Sequence, residues 1–453
     1  MTGYSELAAL VSGPVLTASE PGFADEVAAF ISSTTHTPDV VVGATSPHDV
    51  VQAVRFARSN RLPVRVQSTG HGAFAPIAAG MLVTTNRLND LDVDHVSRIA
   101  AIGAGVRWAA VVEAAAEHGL APITGSSPNV GAVGFLAGGG LGPLSRSHGF
   151  ASDYIRGFSV VTGDGELREA TSEENPDLFW ALRGGKGGLG IVTEVRVELV
   201  ELSSLYGGAL FFEEQHIDTV LRAWIDWTAT APDDVTTSVG IFRLPPFDFI
   251  PEPLRGRTVI ALRFARPGTA ADGERIAAPL RSIAPVYLDL LGELPPGQIG
   301  AIHNDPTDPG PGWDRGMLLT GVDQDFATAL LSQVGAGRDV PFLLAEMRHL
   351  GGATRTDVAG GSAVGGRASD FTFSLIGVPD VSLFDTVLPE VSDRIVTAIG
   401  PWVSPETNIN FAGRPRSYEH FVSAWPAATF ERLASVRRRY DPDGVLPYGP
   451  VRG

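Results

Sequence analysis

The sequence predicts an α+β protein: a first part in which short strands alternate with helices, and a second, mostly antiparallel α+β domain. Three observations predict it. The 453 residues exceed what one hydrophobic core usually supports. Up to about residue 200, apolar runs of strand character alternate with segments of helical period. From residue 201 the strand-like segments are separated by helices and long Pro/Gly loops, a pattern of antiparallel sheets.

Taken in order, residues 39–42 read as a strand. Ser46 caps a helix with Pro47 in its first turn, and Val50, Val51, Val54 and Ala57 form its buried stripe. A strand over 63–66 runs into the loop RVQSTGHG, where His71 stands between Gly70 and Gly72. Residues 98–104 are strand-like, and 108–118 form an Ala-rich helix ended by Gly119. Residues 124–142, TGSSPNVGAVGFLAGGGLG, are rich in glycine, yet Val130, Val133, Phe135, Leu136 and Leu141 need burial. A free linker does not supply it, so the segment reads as a buried loop whose backbone serves a ligand.

Asn175 caps the next helix, with Pro176 in its first turn and Leu178, Phe179 and Leu182 on its apolar face. Residues 185–190, GKGGLG, fit GxGxxG, but the helix comes before the glycines and the alternating strand 191–197 after them. A dinucleotide fingerprint needs the reverse order, so nicotinamide binding loses its support. In the second part, 208–212, 236–242, 258–264 and 371–376 read as strands. A last helix, 430–440, carries Arg437, Arg438 and Arg439 near its end, read as a solvated terminus favourable to the helix dipole.

Composition removes several functions. The net charge of −17 argues against nucleic acid or an anionic membrane as partner. With no cysteine, disulfides, thiolate metal sites, cysteine nucleophiles and cysteinyl cofactor links are excluded. No two of the 10 histidines have the helical i, i+4 spacing, so no metal is expected, and Glu346 beside His349 reads as structural. There is no GxSxG, and Lys186, the only lysine, lacks the Ser/Thr of a phosphate-binding P-loop. The start, MTGYSELAAL, has no signal-peptide pattern and no apolar run reaches membrane-spanning length, so a cytoplasmic location is the expectation.

Four segments in order then carry a resemblance: RVQSTGHG; GSSPNVGAVGFLAGGGLGPLSRSHGFASDYI; NPDLFWALRGGKGGLGIVTEVRVEL; and NFAG followed by RRRYDPDGVL. Together they resemble, over nearly the whole chain, the FAD-linked oxidases with a vanillyl-alcohol-oxidase (PCMH-type) FAD domain. Within these the chain is similar to the berberine-bridge-enzyme-like branch and its hydroxynicotine-oxidase-type members. The resemblance implies a PCMH-type FAD domain of two α/β subdomains over 1–200, a substrate domain with a large antiparallel sheet over 201–403, and a segment returning to the FAD domain over 404–453.

It also implies FAD bonded covalently through the 8α-methyl to His71. The cofactor would be held by Gln67, Ser68, Thr69, Gly70, Gly72, Ser127, Val130, Gly131, Gly134, Gly138, Gly139, Gly140, Gly190, Ile191, Val192 and Asn410. Ser127 stands where bicovalent relatives have cysteine, so a single tether is implied, and Val130 stands where relatives leave oxygen a path. The implied reaction is hydride transfer from a small alcohol or amine to the flavin, with O2 reduced to H2O2. A dehydrogenase using another acceptor, or a flavin-containing binding protein that has lost catalysis, are the alternatives.

The resemblance breaks at the catalytic base. Where relatives have Tyr-x-Asn, this chain has Asn408-Ile409-Asn410. Tyr448 is the candidate to act in place of the missing tyrosine. Arg348 and His349 are further polar candidates, and Arg348 where relatives have a polar or acidic residue favours an anionic or carbonyl-bearing substrate. Tyr206, Trp313 and Trp402 read equally as pocket lining and as core.

Overall fold

A computed structural model describes residues 3–450 apart from Phe249 and Pro415. Among these residues the strands form four-, five- and eight-stranded sheets and a two-stranded ladder. In the first sheet Val40–Gly43 and Val64–Gln67 flank Met81–Thr84 in parallel, and Val15–Leu16 adds an antiparallel edge. The helix Pro47–Asn60 packs here. Ser46 Oγ accepts the Asp49 N–H at 3.2 Å, a cap that contributes about 1 kcal/mol. Val50, Val51, Val54 and Ala57 are buried as their spacing predicts. The sheet's role is positional: strand Val64–Gln67 ends at the loop that carries His71.

The five-stranded sheet is antiparallel throughout, in the order Leu91–Asp94, Ile99–Gly103, Ile191–Glu198, Ile155–Val161, Leu167–Ala170. Its central strand follows the GKGGLG loop, which in turn follows the helix Pro176–Leu182, so helix, glycines and strand occur in the order read from sequence. The cap of that helix differs from expectation. Asn175 sits at φ 49° and its side chain makes no capping bond; its amide instead donates to Glu169 O at 2.7 Å.

The eight-stranded sheet is drawn from residues between Leu205 and Gly377, and every ladder in it is antiparallel. Strand alternation gives it two unlike faces. Val239, Leu262, Phe264, Met347 and Phe373 point to one side, where helices Ile217–Thr228, Ala270–Arg281, Gln324–Val334 and Val387–Ala398 cover them. Tyr206, Trp313 and Trp402 belong to this same apolar layer, which settles them as packing residues.

The chain then returns to the first part. Helix Ala427–Tyr440 buries Leu433, Val436 and Tyr440 in the first core, and Val64 N–H donates to Val445 O at 2.7 Å. The arginine run needs correcting. Arg437 is not a solvated end: it donates to Gly187 O at 3.0 Å and Gly185 O at 2.8 Å, because the helix end lies against the glycine loop. Arg439 pairs with Asp177 at 2.8 Å. No helix among the described residues is long and apolar enough to cross a membrane.

Candidate functional site

The His71 loop is clamped from below. Phe30 N–H donates to Thr69 O at 3.0 Å, and Gly70 lies so close that a Cβ would sit 2.6 Å from that of Ala29, at φ 74°. Gly70 is therefore required by the protein's own backbone and packing. Gly72 is not: a Cβ there would meet nothing within 4 Å. The His71 ring stacks on Phe30 with centroids 3.7 Å apart, and Nδ1 lies 2.8 Å from Thr69 Oγ1. Nε2 is buried with no partner among the described residues. Burial, reinforced by nearby Arg107, brings the imidazole down to about 4, so it is neutral at pH 7.

The neighbouring residues divide by use. The Gln67 side chain is taken up by His36 (3.0 Å) and Ala28 O (2.9 Å), and Ser68 Oγ by Ala104 O (2.9 Å). Gly131 faces this loop, its Cβ position 3.3 Å from Ser68 Oγ. Ser127 Oγ is buried and unpartnered among the described residues, and Val130 is half-buried with its carbonyl accepting Trp108 N–H at 3.1 Å. The loop is folded, not free, and contains the short helix Ala132–Leu136. Gly138 is closed by the Asn410 amide, Gly139 by Phe150 and Val364, and Gly140 by the Phe135 ring. Gly134 is exposed with open space at its Cβ position.

Gly190 is crowded by Val160, and Ile191 and Val192 pair with Val161 and Val160 in the ladder. Asn410 joins the loops: its Nδ2 donates to Phe135 O at 2.8 Å, and its Oδ1 accepts from Lys186 Nζ at 2.6 Å. Asn408 is buried, its Oδ1 accepting the Asn410 N–H at 3.0 Å. Tyr448 packs over Gly187 and edge-on to Phe421 at 5.4 Å, and burial pushes its phenol up.

A small cavity opens between the end of the glycine-rich loop, at Leu141, Gly142, Pro143 and Ser145, and the second face of the large sheet. Register makes that face a row: Arg263, Ser238, Arg348 and Thr372 are cross-strand neighbours on four adjacent strands. Glu346, one step along, accepts from Arg263 Nη1 at 2.6 Å, Arg348 Nε at 2.8 Å and Ser238 Oγ at 3.1 Å. Burial alone would raise its pKa, but Arg348 and Arg263 outweigh it and hold the carboxyl below its ordinary range. His303 closes the cavity, both ring nitrogens buried and without a hydrogen-bond partner among the described residues, with Nε2 3.9 Å from Glu346 Oε1. Burial, then Arg348 and Arg263, push it well below its usual value. Asp305 adds a negative charge to the surroundings of both arginines.

The structure thus brings Arg348 to a cavity wall and leaves Tyr448 and Asn408 outside that wall. His349 points to the opposite face, stacked on Phe371 at 5.0 Å, with Nε2 3.1 Å from Arg146 Nη1. Arg263, Ser238 and Thr372 escaped sequence reasoning because only strand register assembles them, and His303 because the turn Pro296–Ile302 carries it to them from outside the sheet. Lys186 escaped it too, although its being the only lysine was visible.

These features fit an FAD. Two polar atoms beside the loops, His71 Nε2 and Ser127 Oγ, have no hydrogen-bond partner among the described residues, and Gly72 and Gly134 leave open space. The comparisons agree. Residues 38–171 match a family model described as an FAD binding domain. Over 167 residues the chain is 38% identical to the (R)-6-hydroxynicotine oxidase of Paenarthrobacter nicotinovorans, covering 36% of each. The chain aligns with between about a third and a half of the length of such curated relatives. In fold it is similar to the berberine-bridge-enzyme-like 1 protein of Physcomitrella patens, with TM-score 0.83 at 17% identity over 99% of this chain and 98% of that one. It is also similar to a glucooligosaccharide oxidase of Acremonium strictum described with a 6-S-cysteinyl, 8α-N1-histidyl FAD, with TM-score 0.82 at 20% identity over 98% of both.

Proposed function

We propose that this chain, a homologue of FAD-linked oxidoreductases with an FAD-binding domain of its own, is an oxidase that removes a hydride from a C–H bond of a small alcohol or amine, its cofactor tethered to His71. The observation that supports this best is the placement of the cavity, whose one wall is the glycine-rich loop and whose other is the polar row of the sheet. Bound FAD supplies a two-electron acceptor for the hydride, and O2 as final acceptor follows the relatives named as oxidases.

This chain's residues do the rest. In the tautomer whose Nδ1–H donates to Thr69 Oγ1, neutral His71 keeps a nucleophilic lone pair on its unengaged Nε2, and Phe30 fixes its ring plane. Ser127 has no thiol to offer, so His71 is the single tether of this reading. Glu346 is engaged at both oxygens and ionised, so it orients Arg263 and Arg348 and does not take a proton from substrate. Arg348 lines the cavity and holds a carbonyl or anionic part of the substrate. His303, neutral at pH 7, accepts a hydrogen bond from the substrate O–H or N–H.

Acid precipitation tests the tether: a yellow pellet is expected, and a colourless pellet under free FAD would refute it. Peroxide release on a panel of alcohols and amines tests the reaction. Slow reoxidation of the reduced protein by O2 in rapid mixing would replace oxidase with dehydrogenase.

A further inference from the structure

The only lysine of the chain is at a costly position. Lys186 adopts φ 66°, a left-handed backbone that L side chains rarely take and glycine takes freely, and it lies in a run where glycines precede and follow it. Its side chain crosses from the GKGGLG loop to the glycine-rich loop, Nζ donating to Gly134 O at 2.7 Å and Asn410 Oδ1 at 2.6 Å. Both acceptors are neutral. Although the protein carries 51 acidic residues, none reaches this ammonium among the described residues. Arg437, which reaches the loop from the last helix, lies against the Trp425 and Tyr448 rings, also without a carboxylate partner among the described residues. A partly buried cation without an acid is costly unless an anion arrives.

Two anions come with FAD: the pyrophosphate, always charged, and the isoalloxazine, which gains one negative charge when a hydride is added. The contacts favour the second. Gly134 belongs to the loop whose end walls the cavity, and Asn410 is followed by Phe411, whose ring lies 5.4 Å from the Arg348 guanidinium that also lines it. The ammonium is therefore linked to the end of the site where substrate would meet the cofactor. We propose that Lys186 is the counter-cation for the negative charge that the flavin ring takes up on reduction, and so sets how readily the bound cofactor is reduced. The inference rests on FAD occupying these loops.

The side chain is its own reporter. Burial among uncharged neighbours brings the ammonium down to about 8, within reach of titration, and isotope-labelled lysine gives a single side-chain amine resonance. The holoprotein is titrated by NMR, oxidised and then reduced with dithionite. The expected result is a pKa higher by at least about one unit in the reduced state, because the coupling is reciprocal. An identical pKa in both states overturns the proposal; if that value is far above 8, the pyrophosphate is the partner. Lys186→Met is expected to stay yellow while reduction becomes about tenfold less favourable, a potential lower by about 30 mV for a two-electron couple. Lys186→Arg restores it. An unchanged potential in Lys186→Met overturns the proposal even if the titration is ambiguous. A holoprotein that contains no flavin instead removes the FAD reading itself, a separate failure.

Discussion

At the His71 end of the site two buried polar atoms are neutral and without a hydrogen-bond partner among the described residues, whereas at the Arg348 end the cluster around Glu346 is charged and paired. His71 Nε2 and Ser127 Oγ are buried with no hydrogen bond among the described residues, while Glu346 is gripped by two arginines and a serine. The difference follows from what burial costs. A neutral polar atom loses one hydrogen bond when buried and stays available for a new bond; a buried charge must be paired, which fixes its geometry and removes it from proton transfer. The first end is built to be bonded, the second to hold something still.

The comparison can be broken by substitution. The largest effect is expected for His71→Ala: all the FAD should leave the acid-precipitated pellet, whereas Arg348→Ala should keep it yellow. Next, Arg348→Ala should lower kcat/KM about 100-fold, since losing a charge-assisted hydrogen bond to the substrate costs up to about 3 kcal/mol. Steady-state kinetics on the best substrate of the panel reads this, and a change under threefold would detach Arg348 from the substrate.

A pH series sharpens the contrast. Because the His71 imidazole is lowered to about 4, it is unprotonated above that pH and charged below it. FAD attachment to flavin-free protein should thus run at a constant rate above about pH 5 and slow about tenfold per unit below 4. A rate that rises between pH 6 and 8 would mean an ordinary histidine with a pKa near 6.5. The smallest effect is expected from Tyr448→Phe. The ring packs on Gly187 and does not line the cavity, so kcat should change less than about twofold. A loss of a hundredfold would return the tyrosine to the role the sequence suggested.

Much of this was local and hence legible. Ser46 and Pro47 start a helix through their own backbone geometry, and the alternation in Ile191–Glu198 made a strand wherever it paired. His71 between glycines, the buried character of 124–142 and the reversed GxGxxG were likewise properties of short stretches. Arg437 and Asn175 were misread because the rule used for each looked only within its helix, and a group outside the helix outbid it: the sequence-distant Gly185 and Gly187 for one, Glu169 O on the preceding strand for the other.

By itself the sequence determined the order of elements, the glycine-rich loops, the lone histidine between them and the absence of any thiol. Only tertiary structure decided which polar residues share a site. Arg348 and His349 are adjacent and equally polar on paper, but strand alternation turns them to opposite faces, and antiparallel register then sets Arg348 beside Ser238 and Thr372. Whether Lys186 met an acid was likewise undecidable from the chain, because electrostatic partners are chosen by distance in space and the sequence orders residues only along the backbone.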